Sequence, residues 1–249
     1  MIDAHLHLGK DLIYDIDINL DEILEAMTKY GLEKVVLYPA NSNISLETER
    51  EKHQMILEAL KKYPDKFYGI CQVNPHYEGN VFEEEVKKYI DLGFKGLSVN
   101  SQVHGWDPKS RYGKRVFNLA RDLKIPLFIS VGIGLPLGLP IKLYELIKEY
   151  SDIKVVLVHA GKSAFASQVH VLASEFQNVY LETSLGFNMR EIKKSVKKYG
   201  ANRIIMASCS FDEIEQSIYM YKNAGLSDYE FSYCTEKTIL EVLEEEVIS

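Results

Sequence analysis

The sequence predicts an α/β fold in which eight strand–helix units close into a (β/α)8 TIM barrel, a single domain over residues 1–249. Three observations predict it. Short apolar runs alternate with amphipathic helical segments without a break. The strand starts recur at intervals of roughly 24 to 33 residues, the size of one strand–helix unit. The length of 249 residues also matches what eight such units need. An open doubly wound sheet is the alternative, but eight regular units favour closure.

The first strand begins at Met1 and the second near Lys34, with Val35-Val36-Leu37-Tyr38. The third begins near Lys66 (Phe67-Tyr68-Gly69-Ile70), the fourth near Lys95 and the fifth near Pro126. The sixth follows Lys154 (Val155-Val156-Leu157-Val158), the seventh Asn178 (Val179-Tyr180-Leu181) and the eighth Arg203 (Ile204-Ile205-Met206). Most of these runs are continuously apolar, as parallel strands covered on both faces are. Helices are expected over 20–30, 47–63, 81–92, 112–123, 141–150, 165–176, 189–199, 212–224 and 229–247. Gly31, Gly93, Gly200 and Gly225 stand where helix ends favour a residue free to take positive φ.

The net charge of −7, with no long basic block, argues against a nucleic-acid partner. The uncharged run 125–141 is broken by Pro126, Pro136 and Pro140 and by Gly132, Gly134 and Gly138, which argues against a membrane span. It reads as a buried strand followed by a Gly/Pro loop with the composition of a lid. Cys71, Cys209 and Cys234 are far apart and in no zinc-finger spacing, so the chain reads as a reduced, cytoplasmic protein. Assembly into a homo-oligomer stays open.

The first strand reads Met1-Ile2-Asp3-Ala4-His5-Leu6-His7-Leu8-Gly9. Strand side chains alternate, so His5 and His7 share a face. At the carboxyl end of a barrel strand that face is the lumen, where two imidazoles can grip a divalent metal.

The chain resembles the amidohydrolase superfamily, in the branch of aminocarboxymuconate semialdehyde decarboxylases and related small metal-dependent hydrolases. The resemblance rests on the His5/His7 strand, on Tyr63-Pro64-Asp65-Lys66-Phe67, and on Val73-Asn74-Pro75. It continues through Leu92-Gly93-Phe94-Lys95-Gly96, Val158-His159-Ala160-Gly161, Asn178-Val179-Tyr180-Leu181-Glu182-Thr183-Ser184 and Gly200-Ala201-Asn202-Arg203-Ile204. It implies a metal-dependent hydrolase type of barrel acting on a small-molecule substrate. Three positions depart from the family pattern. Ser130 replaces the usual fifth-strand His, Cys209 the eighth-strand Asp, and Ser98-Val99-Asn100 stands where Lys-Leu-His is frequent.

The resemblance implies a divalent metal, zinc by ligand chemistry, held by His5 and His7. Cys209 is a third ligand in thiolate form, or else a small buried residue. His159, ending the sixth strand, is a candidate for proton transfer or for polarising a substrate oxygen. Ser130 is a poor ligand and is expected to touch substrate. His76, His104, Trp106 and Arg111 follow strands three and four and are expected to line the pocket. Glu182 is a metal neighbour or an acceptor for a histidine N–H. Asp212 is expected to cap the following helix, and His53 and His170 to lie on helix surfaces.

Two functions follow. One is an enzyme that uses activated water on an amide, ester or lactone, or a related decarboxylase. The other is a catalytically degenerate barrel, lacking two usual ligands, that binds a small molecule or a partner.

Overall fold

The computed structural model describes residues 1–11, 15–41, 45–160 and 163–245. Among the described residues there are ten strands: β1 (Ile2–Asp11), β2 (Ile16–Ile18), β3 (Lys34–Pro39), β4 (Phe67–Gly69), β5 (Cys71–Gln72), β6 (Leu97–Asn100), β7 (Leu127–Ser130), β8 (Val155–Val158), β9 (Val179–Glu182) and β10 (Ile204–Ile205). The eight expected strand positions are all occupied. The two extra strands have local causes. β4 pairs with β3, while β5, one residue further on, pairs with β6, so the third barrel strand is split at Ile70. β2 is a short antiparallel partner that folds back over the long end of β1.

All other pairings are parallel, in the order β1-β3-β4 and β5-β6-β7-β8-β9-β10. The ring closes between the last strand and the first. Ala4 N–H donates to the Met206 carbonyl at 3.2 Å and Cys209 N–H to the His5 carbonyl at 2.8 Å. Asp3 ties the same seam from its buried carboxylate, accepting from the N–H of Ser208 at 3.1 Å and from its hydroxyl.

The helices are α1 (Leu20–Tyr30), α2 (Leu46–Lys62), α3 (Val81–Asp91), α4 (Ser101–His104), α5 (Arg111–Leu123), α6 (Tyr144–Glu149), α7 (Ala166–Glu175), α8 (Met189–Tyr199), α9 (Ile214–Asn223), α10 (Asp228–Ser232) and α11 (Thr238–Leu243). The expected segment 229–247 is therefore not one α-helix, since a π-helical turn, Tyr233–Lys237, separates α10 from α11. Asp212 sits exposed in a 3-10 turn ahead of α9, and no side chain caps the start of that turn or of the helix.

Alternation along the strands divides the core in two. Outward residues such as Val35, Leu97, Leu127, Val155 and Val179 pack under the helices. Inward residues such as Val36, Tyr68, Phe128, Val156 and Ile205 pack with Ile239, Leu240, Val242 and Leu243 of α11 in a second cluster inside the ring. Toward the strand carboxyl ends the inward residues become polar: Gln72, Ser98, Asn100, Ser130 and Glu182. This polar layer floors the site.

β1 carries a register shift between Asp3 and Leu6. A bulge moves side chains by one position. Ile2 and Ala4 thus join the inner cluster and Leu6 and Leu8 the outer one, while His5 and His7 turn inward. His53 corrects an expectation: it is fully buried. Its helix face packs on the barrel, where Nδ1 lies 2.6 Å from the Glu49 carbonyl and Nε2 accepts from Gln72 N–H at 2.9 Å. Burial pushes its pKa down to about 4. His170 is partly exposed on α7. Among the described residues, no helix is long and apolar enough to cross a membrane.

Candidate active site

A cavity of about 250 Å³ opens at the carboxyl ends of the strands, where barrels of this kind place their chemistry. His5, His7, Ser130, His159 and Cys209 all line it. The structure thus brings together five of the residues singled out in the sequence.

The two first-strand imidazoles face each other, Nε2 to Nε2, at 3.2 Å. His7 has its other nitrogen 2.9 Å from the Pro39 carbonyl oxygen, which only accepts. That bond fixes a proton on Nδ1 and leaves the lone pair on Nε2. His5 then has two choices. Protonated at Nε2, it donates to His7, but its bare Nδ1 faces the Glu182 carboxylate at 4.0 Å, and that buried nitrogen has no hydrogen-bond partner. Protonated at Nδ1, it turns a positive hydrogen toward Glu182 and two lone pairs meet at 3.2 Å. A cation between the lone pairs resolves the second arrangement. With Zn–N bonds of about 2.0–2.1 Å, two nitrogens at neighbouring tetrahedral positions stand roughly 3.3 Å apart. Ligand atoms of His5, His159 and Cys209 lie within 4.8 Å of one another. The donor set fits a divalent metal. Burial holds both first-strand imidazoles below the usual histidine range, so they are neutral and able to ligate.

His159 directly follows β8 at φ +60°, and Cys209 comes after β10 at φ +71°. Left-handed backbone costs a residue with a side chain about 1 kcal/mol, and such positions cluster at functional sites. In each case the sharp turn at the strand end brings the side chain to the cavity. The His159 backbone N–H donates to Glu182 Oε2 at 2.7 Å, and its Nδ1 meets the Ser184 hydroxyl at 2.7 Å. Ser184 in turn donates to Glu182 Oε2 at 3.0 Å. A hydroxyl that gives its own proton to a carboxylate accepts at its oxygen, so His159 carries its proton on Nδ1 and its lone pair on Nε2. Glu182 is 1 % exposed and works from behind the wall, through Ser184, not by a direct bond to a ring nitrogen.

Four predicted binding residues are not brought to this cavity. Trp106 is fully buried, donating from Nε1 to the Tyr112 carbonyl at 3.2 Å, because the chain after α4 folds inward under α5. His104 is buried with Nε2 3.9 Å from Glu49, and burial lowers its pKa to about 3. His76 and Arg111 line a separate surface depression with Tyr112 and Arg115. The chain after strands three and four carries these side chains either under α5 or to that depression, and sequence alone does not give its direction.

The cavity also contains residues to which the sequence reading gave no role: Tyr38, Asn41, Gln72, Gln102, and Ser98 and Asn100 of the segment that departs from the family pattern. The missed signal was parity. Gln72, Ser98 and Asn100 alternate with the outward Cys71, Leu97 and Val99. Above them, Ile16 and Ile18 of β2 and Ile133 of the Gly/Pro loop form an apolar rim. That loop is tied at its base by Gly132 N–H to the Gly138 carbonyl at 2.8 Å, and packs on α4 through Gly134.

A family model described as amidohydrolase matches residues 2–209. No curated protein matches the chain. Among solved structures, a 5-carboxyvanillate decarboxylase from Sphingomonas paucimobilis is similar at TM-score 0.79, with 12% identity over 99% of this chain and 99% of that one. A probable 2-pyrone-4,6-dicarboxylic acid hydrolase from Acinetobacter baumannii, with citric acid bound, is similar at TM-score 0.72, with 15% identity over 98% of each chain. A putative amidohydrolase from Staphylococcus aureus is similar at TM-score 0.71, with 16% identity over 98% of this chain and 100% of that one.

Proposed function

The chain belongs to the amidohydrolase family, and from that premise we propose that it is a metal-dependent hydrolase of a small-molecule amide, ester or lactone, or a related decarboxylase. One observation carries the reading: His5 Nε2 and His7 Nε2 face each other at 3.2 Å, with His5 Nδ1 turned to the Glu182 carboxylate at 4.0 Å. His5, His7 and Cys209 would hold the metal, with His159, which clusters with His5 and Cys209, standing beside it for proton transfer; two imidazoles with one thiolate suit zinc. Similar folds include a dihydroxybenzoic acid decarboxylase with bound manganese, which supports a divalent ion at such a site. The metal would supply Lewis-acid polarisation of the substrate carbonyl. The spread of the three cysteines supports a cytoplasmic setting.

The rest of the hydrolytic reaction falls to the chain's own side chains. His159 Nε2, unprotonated because Nδ1 is held by Ser184, accepts the proton of the attacking water. Glu182, one hydroxyl away, stabilises the imidazolium that forms. The same nitrogen then returns the proton to the leaving group. Ile16, Ile18 and Ile133 restrict water at the mouth.

Metal analysis of protein purified without chelator tests the reading. About one divalent ion per chain is expected, and the His5→Ala, His7→Ala double variant should lose it. A wild-type chain that stays empty under zinc and manganese titration overturns the proposal.

A further inference from the structure

The bulge in β1 turns on one buried carboxylate. Asp3 pairs with Val35 and Leu6 with Leu37, so Ala4 and His5 together stand against Val36 alone. Two residues opposite one cannot both join the β3 ladder, and their backbone groups need other partners. Ala4 N–H goes to the Met206 carbonyl at 3.2 Å, and the His5 carbonyl accepts from Cys209 N–H at 2.8 Å. The His5 N–H donates to Asp3 Oδ1 at 3.1 Å. The same oxygen accepts the Ser208 N–H at 3.1 Å, and Oδ2 accepts the Ser208 hydroxyl. Asp3 is 2 % exposed and is not among the described residues lining the cavity, so it reaches the site only through the backbone it holds.

That backbone belongs to His5 itself and to the residue before Cys209. The imidazole and the thiol come from the first and last strands of the ring, yet their ligand atoms lie within 4.8 Å of one another. Cys209 keeps this place at φ +71°, a left-handed conformation that relaxes unless neighbouring bonds hold it. The bond at its own N–H fixes one side of the residue, and the grip of Asp3 on Ser208 fixes the chain leading into it. We propose that Asp3 is a positioning residue of the metal centre: by holding the His5 and Ser208 N–H groups on one oxygen, it sets the spacing of imidazole and thiol and brings the thiol into the ligand set. This rests on the metal-dependent reading of the same site. Groups that orient ligands from behind contribute roughly 10–100-fold in metal affinity.

Cobalt(II) titration of the metal-free protein, followed by absorption, tests this, with zinc affinity measured against a competing chelator. A thiolate bound to cobalt gives a sulfur-to-metal charge-transfer band in the near ultraviolet, which imidazoles alone do not. In folded Asp3→Ala at saturating cobalt the band should fall to about half or less, and zinc affinity roughly 10–100-fold. Asp3→Asn keeps an oxygen for both N–H groups, so its band should persist and its zinc affinity stay within about threefold of wild type. A residue that only closes the ring would lower the unfolding temperature and leave the band of the saturated protein alone. Asp3→Ala with the full band and wild-type zinc affinity overturns the proposal, as does Asp3→Asn behaving like Asp3→Ala. If Asp3→Ala does not fold, Ser208→Ala, which removes the hydroxyl tie, decides: a loss of about fivefold in zinc affinity is expected, and an unchanged affinity overturns the proposal. The two claims separate in the wild type. A chain that takes up no cobalt sinks the metal reading and this inference with it. Cobalt bound without the band, or a band indifferent to Asp3→Ala, sinks the role of Asp3 alone.

Discussion

The Ser184 hydroxyl stands 2.7 Å from Nδ1 of His159 and passes its own proton to Glu182, so one small side chain links the imidazole to the carboxylate behind it. Ser184→Ala breaks that link. The expected outcome is a fall in kcat of roughly 10–100-fold with KM within about twofold, since the imidazole loses orientation and not substrate contact. Nitrogen-15 NMR of the histidines should show His159 moving from a pure Nδ1–H form to a tautomer mixture. An unchanged spectrum would remove Ser184 from the relay.

Cys209→Ser tests the third ligand. A neutral hydroxyl is a far weaker donor than a thiolate, so zinc retention against a competing chelator should drop by a factor of about ten or more. Undiminished retention would leave His5 and His7 as the metal holders without the thiol.

Glu49 gives a pH prediction away from the metal centre. Its carboxyl is 9 % exposed, accepts the Asn74 N–H at 3.1 Å, and is pushed up to about 7, chiefly by burial. Between the ordinary carboxyl range and pH 7 the folded chain holds a proton that the unfolded chain has lost. Its contribution to stability is therefore full below about pH 4.5 and falls as pH rises to 7. Glu49→Gln should flatten this part of the profile, gaining on the order of 2 kcal/mol over wild type at pH 8 relative to pH 4.5. Urea unfolding of both proteins at the two pH values measures it, and because the comparison is a difference, the opposing titration of His53 cancels.

Gly134 stands at φ +65°, and a Cβ there would meet the Gln102 backbone nitrogen at 2.4 Å. Gly134→Ala should cost roughly 1–3 kcal/mol through backbone strain and displacement of α4. Thermal unfolding reads the loss. An unshifted Tm would mean that the loop does not rest on α4 in solution.

Most of the barrel could be read from its strands. Runs such as Val155–Val158 are apolar on both faces because helices cover one side and the ring encloses the other. His5 and His7 were legible as a pair because alternation keeps residues two apart on one face. The bulge after Asp3, which aims that pair inward while Ala4 also packs inward, leaves no mark in the sequence. Tyr38 and Asn41 were missed because a tyrosine at a strand end and an asparagine in a turn are ordinary there; only burial without a partner sets them apart. His104 and Trp106 misled because loop composition does not encode loop direction. His53 misled because a helix on a barrel hides the very face that carries it.

The seam between β10 and β1 reaches beyond architecture. Cys209 is hydrogen-bonded to the His5 carbonyl, and Asp3 to Ser208 across 205 positions of chain. The thiol and the paired imidazoles meet only when the last unit docks on the first. Folding intermediates that lack this closure would grip an ion through the imidazole pair alone, at best loosely. With the proposed ligand set, tight capture of the ion would be a late event in folding and a natural reporter of its completion.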